Sequence, residues 1–268
     1  MNLLSKNTIK NLLKQNNIKP SKRLGQNFLI DKTVVKKIIK TADIKESDTI
    51  IEIGPGIGTI TQELAKAIVV EKDREMVKIL KQTIKDNIEI IQKDILKYEI
   101  KAKDYKVIGN IPFYLTAPLI RKLLESKNPP KEITLVVQKE VAQRICAKPP
   151  KMSILSVSVQ FYAKPKIISY ISKKSFWPCP KVDSAIIKIS NISSNPEIDK
   201  DLFFRIVKAG FSQPRKQIIN NLSKKLKLDK EEIKIWLLKN NIQPKQRAET
   251  LNIQDWTNLT KTYKVIHL

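Results

Sequence analysis

Asp48-Thr49-Ile50-Ile51-Glu52-Ile53-Gly54-Pro55-Gly56-Ile57-Gly58 changes character at its midpoint, from a β-branched run to a segment with glycine at every second position. The first half predicts a short buried strand. The second predicts a tight connection whose bare backbone can approach a ligand at the carboxyl edge of a sheet. Gly54-x-Gly56-x-Gly58 is not the G-x-G-x-x-G of dinucleotide enzymes, because the third glycine arrives one residue early. Taken alone, the triplet is equally a turn that requires glycine.

Working outward, the hydrophobic period predicts a helix over 59–66, a strand over 67–70 closing at Glu71, a helix over 74–85, a strand over 88–91 closing near Asp94, and a strand over 105–108 closing at Asn110. Strand and helix in alternation predict an α/β, Rossmann-like domain with a mainly parallel sheet, four of whose polar or glycine-rich strand ends share one edge. Further on, helices are expected over 118–126, 139–147 and 152–162 and a fifth strand over 132–138. Strands 166–171 and 182–189, flanking Phe176-Trp-Pro-Cys-Pro180, are expected to add an antiparallel hairpin. Upstream, Lys22 to Asp31 reads as a loop that folds over something, followed by a helix over 32–42 with Asp31 as its N-cap. Asn191 to Pro196 reads as a linker, and helices over 200–211, 215–226, 230–240 and 253–262 form a small basic α-helical domain. The expected division is therefore 1–190 and 197–268, with a basic extension over 1–24.

Lys and Arg number 51 against 26 Asp and Glu, a formal net charge of +25 over 268 residues. So large an excess costs self-repulsion unless a polyanion or an anionic surface relieves it, and nucleic acid is the leading partner. The abundance of Ile, Lys and Asn, as in AT-rich coding sequence, inflates the figure. The amphipathic basic helix spaced by Leu3-Leu4, Ile9 and Leu12-Leu13 could lie on RNA or pack on the domain. Cys146 and Cys179 lack metal-site or disulfide spacing, and the only histidine is His267. These features argue against imidazole-dependent hydrolysis and a His-ligated metal, and no metal is expected. No apolar run approaches the ~18 residues that span a bilayer. Residues 1–24 lack acids, as a transit peptide would, but hold a single arginine, Arg23, and run directly into a motif. The expected setting is the cytoplasm, without membrane contact.

Glu71 lies 17 residues after Gly54, near the spacing of an acid that takes ribose hydroxyls. Asp94 is placed to accept from an adenine 6-amino group, since an ionised carboxylate only accepts hydrogen bonds. No Walker-type lysine follows the glycines, so an adenosine ligand without phosphates fits best, and S-adenosylmethionine is such a ligand. Asn110-Ile111-Pro112-Phe113 then reads as a base clamp: the Asn110 side-chain oxygen and the Pro112 carbonyl, expected to be free of local amides, accept the two N–H groups of an exocyclic amine, and Phe113 stacks on the ring. By itself the tetrapeptide reads better as an Asx turn capping a strand, with Phe113 in the core; the neighbouring strand ends reverse that preference.

From about Ser21 to Leu259 the chain resembles the ribosomal RNA adenine N6,N6-dimethyltransferases. The resemblance rests on Leu24-Gly-Gln-Asn-Phe-Leu-Ile-Asp31, Glu52-Ile-Gly-Pro-Gly56, Asn110-Ile-Pro-Phe113, Val137-Gln-Lys-Glu-Val-Ala-Gln-Arg144, Phe176-Trp-Pro-Cys-Pro-Lys-Val-Asp-Ser184 and Arg247-Ala-Glu-Thr-Leu251. It implies a class I methyltransferase domain and two successive methylations of each of two adjacent adenosines near the 3′ end of small-subunit (16S) rRNA. It also implies a monomer acting on immature small subunits and taking part in their biogenesis. Asn27, Leu29, Gly54, Gly56, Glu71, Asp94 and Asn110 would bind S-adenosylmethionine, and Asn110, Pro112 and Phe113 would engage the target base. The chain departs from the family in a shorter connection before Ile68, a shorter loop at Lys148–Ser153, and Pro214 where a second arginine is usual. A large-subunit rRNA adenine methyltransferase of the macrolide-resistance type and a non-catalytic ribosome-assembly factor are the rivals. The Arg247–Leu251 segment resembles the small-subunit branch, and intact Glu71, Asn110 and Pro112 weigh against lost catalysis.

Overall fold

The computed structural model describes residues 1–21, 23–193 and 197–263; Lys22, residues 194–196 of the expected linker, and His267 lie outside the described residues. The chain divides into two compact units, Met1–Ala142 with Lys164–Ile192, and Gln143–Ala163 with Ser193–Leu268. Residues 143–163, expected within the first domain, thus belong to the second unit. The cause is apolar packing: Met152 and Val157 share a buried core with Phe203, Ile206 and Val207.

In the first unit, α1 (Lys6–Gln15) leads through β1 (Phe28–Leu29) to α2 (Lys32–Ala42) and the central strand β2 (Thr49–Ile53). The Asp31 side chain accepts from the Thr33 and Val34 amides, which is the expected cap. β3 (Ala67–Glu71), α3 (Arg74–Thr83), β4 (Ile88–Gln92), β5 (Tyr105–Asn110), α4 (Thr116–Leu124) and β6 (Glu132–Gln138) follow, and α5 (Lys139–Ile145) begins in this unit and ends in the second. After α6 (Ile154–Gln160), which lies in the second unit, come β7 (Lys164–Ile171), β8 (Phe176–Trp177) and β9 (Ser184–Ser190). The sheet order is β4-β3-β2-β5-β6-β9-β7. β4 to β6 are parallel, while β9 and β7 run antiparallel as the expected hairpin. β2 is buried along nearly its whole length, as an apolar run covered on both faces must be. β1 pairs with β8 in a separate two-stranded ladder.

Two local expectations change. The helix expected over 59–66 is a single 3₁₀ turn, Thr61–Glu63. Ile60 and Leu64 are buried as a helical pattern would have them, yet Thr61 turns inward, its hydroxyl on buried Glu52 at 2.7 Å. The basic N-terminal helix, for which two roles were open, packs on the unit: Ile9, Leu12 and Leu13 are buried with Met76 and Ile79 of α3. Asn16 and Gln82 exchange amide hydrogen bonds at 3.3 and 3.0 Å beside that contact.

The second unit contains α6, α7 (Lys200–Gly210), α8 (Ile218–Leu226), α9 (Lys230–Lys239) and α10 (Ile253–Thr262). Its core is aromatic, with Phe203, Trp236 and Trp256 fully buried. Asp199, Asp229 and Asn252 cap three of the helices through their side chains.

Candidate active site

The carboxyl ends of β4, β3, β2 and β5, neighbours in the sheet, open onto one cleft of the first unit. Gly54 and Gly56 lie on its wall with φ of +66° and +59°, a backbone region in which glycine carries no Cβ penalty. A Cβ on Gly56 would stand 3.3 Å from the Phe28 ring. Gly58 serves differently, because a Cβ there would meet Ile84 and Leu80 at the α3 packing surface. The triplet therefore combines two ligand-facing glycines with one that packs the fold.

β3 keeps its register despite the short connection before it, with Ile53 opposite Val70 and Glu71 opposite Gln92. Glu71 accordingly closes the strand at the cleft. Its two oxygens accept from the Gly56 amide at 3.1 Å and the Asp73 amide at 2.8 Å, and burial pushes its pKa up. Asp94 accepts from the Leu96 amide at 3.0 Å and pairs with Lys72 at 2.8 Å. The Lys72 hydrogen bond holds the Asp94 carboxyl below its ordinary range.

Sequence reasoning treated Glu52 only as part of a motif, but it is a cleft residue that is 1% exposed. Burial pushes its pKa up to about 8, against the opposing Thr61 hydrogen bond and with some help from the Glu71 charge. The available signal was a carboxylate inside an otherwise apolar strand. Two buried carboxyls beside glycine backbone leave lone pairs that a hydroxyl-bearing ligand would satisfy.

The Asn110 amide nitrogen donates to the Asn27 carbonyl at 3.0 Å. Because a carbonyl only accepts, the NH₂ must face Asn27, and Oδ1 is left as an acceptor. Pro112 corrects an expectation: its carbonyl already accepts from the Leu115 amide at 2.9 Å, in the 3₁₀ turn Phe113–Leu115, so only its second lone pair is open. Phe113 lines the cleft half-buried.

The strip Leu24–Phe28 forms one wall of the cleft. Gly25 fits against Pro112, where a Cβ would lie 3.1 Å from the proline Cβ. Gln26, which sequence reasoning did not single out, donates to Asp73 at 2.6 Å and accepts from the Ser21 amide at 2.7 Å. Asn27 lines the cleft, but Leu29 does not: its side chain is fully buried in the core beside Ile38 and Phe176, in the β1–β8 ladder. Of the candidate residues the cleft thus unites Asn27, Gly54, Gly56, Glu71, Asp94, Asn110, Pro112 and Phe113, and leaves out the Leu29 side chain.

Comparison with known proteins adds independent findings. The family described as ribosomal RNA adenine dimethylase matches residues 16–264. The ribosomal RNA small subunit methyltransferase A of Clostridioides difficile (strain 630) is 40% identical over 277 aligned positions, covering 96% of each chain. Its namesake from Clostridium botulinum (strain ATCC 19397) is 41% identical, covering 94% of this chain and 96% of that one. Among solved structures, a dimethyladenosine transferase from Plasmodium falciparum superposes with a TM-score of 0.76 at 26% identity, covering 90% of this chain and 98% of that one. The 23S rRNA methyltransferase ErmE shares the fold, with a TM-score of 0.71 at 23% identity over 88% of this chain and 98% of that one. A full-length family match, relatives at two-fifths identity, and a methyltransferase-like sheet with its cleft at the strand ends agree: the chain belongs to the ribosomal RNA adenine dimethylase family.

Proposed function

We propose that this chain dimethylates the N6 amine of two adjacent adenosines near the 3′ end of small-subunit rRNA, with S-adenosylmethionine as methyl donor, in the cytoplasm and during small-subunit maturation. The observation that carries this reading is the Asn110 amide, fixed by the Asn27 carbonyl so that an acceptor oxygen remains at the cleft holding Glu71 and Asp94. The small-subunit assignment is supported by the names of the full-length relatives.

The donor supplies an electrophilic methyl on a sulfonium. Glu71 takes ribose hydroxyls on the lone pairs its two amide contacts leave open. Asp94 accepts from the adenine amine of the donor. On the other substrate, the exocyclic amine is a poor nucleophile because its lone pair is delocalised into the ring. Asn110 Oδ1 accepts one N–H, and the second lone pair of the Pro112 carbonyl accepts the other. The nitrogen then pyramidalises and aims its lone pair at the methyl. Phe113 holds the base, withdrawn from its stack, by ring contact. Positioning of this kind supplies roughly 7–11 kcal/mol in well-oriented systems.

The test is direct. Undermethylated small subunits, the purified chain and S-adenosylmethionine should give dimethyladenosine, read by nucleoside mass spectrometry. No product with donor binding intact would overturn the enzymatic reading in favour of an assembly factor. Product on large-subunit RNA instead would favour the large-subunit rRNA adenine methyltransferase reading.

A further inference from the structure

The mouth of the cleft has a rim that none of these roles uses. Tyr114 follows Phe113 and is 56% exposed, and Leu96, two residues beyond Asp94, is 40% exposed; both line the cleft. Two of the unit's few exposed large apolar side chains therefore sit at one opening. Packing does not account for Tyr114, because Leu115, Thr116 and Leu119 carry the buried face of α4 and its entry turn. Among the described residues Tyr114 has neither a ring partner nor a hydrogen bond. Lys72 and Lys93 line the same mouth and are exposed. Lys72 gives one of its three donors to Asp94 and keeps two. Its pKa is raised first by that hydrogen bond and further by the Asp94 charge.

We infer that Tyr114 and Leu96, with Lys72 and Lys93, form a subsite for the nucleotide next to the adenosine being methylated. The inference rests on the proposed RNA reading. A base drawn out of its stack leaves its neighbour with an uncovered face and a phosphate close by. An exposed ring beside an aliphatic side chain covers such a face, and the two ammonium groups meet the phosphate as point charges. Since every base has a π-face, the subsite reads register rather than base identity. It would hold either member of the adjacent pair while the other occupies the clamp.

Steady-state methylation of undermethylated small subunits by the full chain, Tyr114→Ala and Tyr114→Phe separates the possibilities, with donor affinity measured by titration calorimetry. Tyr114→Ala should raise KM for the subunits about tenfold, within the range for loss of one base stack. It should leave the donor dissociation constant unchanged, and Tyr114→Phe should restore KM. An unchanged KM would show the rim to be plain solvent surface. A parallel loss of donor affinity would assign Tyr114 to the donor wall. Either result overturns the inference while active wild-type protein upholds the parent reading. A second readout needs no turnover. A short RNA with 2-aminopurine beside the target adenosine should be quenched by wild type and the Phe variant but not by the Ala variant, and equal quenching by all three would overturn the inference.

Discussion

The two units bury polar groups to opposite ends. In the second, Asn221 donates to the Gly210 and Gln213 carbonyls at 2.6 and 3.0 Å, and Thr260 to the Trp256 carbonyl at 2.9 Å. Each of these buried groups ties off local backbone. In the first, the buried ionisable groups at the cleft are the carboxyls of Glu52 and Glu71, with few donors and pKa values pushed up by burial. Satisfied polar burial is architecture. Carboxyls kept in a costly environment beside an open cleft mark chemistry.

The sharpest way to break this contrast is to damage the second unit and watch the first. Trp256 is fully buried, with its ring 5.5 Å from that of Phe211, so Trp256→Ala should cost about 3–5 kcal/mol in urea unfolding. Donor affinity of the folded variant should not change; a loss would mean that the aromatic core shapes the cleft. Next in size, Asn110→Ala should lower kcat on the order of a hundredfold by removing one orienting contact. RNA affinity should hold nearly constant, because it resides in the basic surface. A large fall in RNA binding would sink that division of labour.

Glu52 gives a contrast in pH. Its folded pKa of about 8 lies above the ordinary 4.5, so between those values the folded chain holds a proton that the unfolded chain releases. That contribution is complete below pH 4.5 and is lost as pH rises toward 8. Urea midpoints of the donor-free protein should therefore fall between pH 5 and 8, and Glu52→Gln should flatten that part of the profile. An unaltered slope would place the titration elsewhere. The smallest expected effect is Phe113→Tyr, with kcat/KM changing less than about twofold because both rings present the same face to the base. A large change would give the hydroxyl a role the clamp does not foresee.

The site's plan was legible in sequence because strand ends are. A β-branched run stopping at Gly54, Glu71 or Asn110 says where the chain leaves the sheet, and neighbouring parallel strands deliver those stops to one edge. What depended on distant partners was not legible. The 59–66 segment has helical spacing, yet Thr61 is turned toward buried Glu52, a demand no local pattern records. Residues 143–163 follow the sheet in sequence but bury Met152 and Val157 in the helical unit. The Pro112 carbonyl looked free because the Leu115 amide that meets it depends on a turn invisible to hydrophobic period. Gln26 reads as one more polar loop residue until Asp73 is found beneath it.

The bond from the Asn110 amide to the Asn27 carbonyl would also let the proposed clamp count. With one hydrogen given to the Asn27 carbonyl, the amide turns its oxygen to the cleft, and that oxygen, an acceptor only, would hold a nitrogen only while the nitrogen has hydrogen to give. An unmodified adenine amine has two, a singly methylated one has one, and a doubly methylated one has none. In the proposed clamp the orienting hold on the amine would therefore weaken after the first transfer and vanish after the second, so that termination would arise from one hydrogen bond. In transfer assays, singly methylated RNA should accordingly react more slowly than unmethylated RNA while the two bind about equally, and equal rates would show that the count is kept elsewhere.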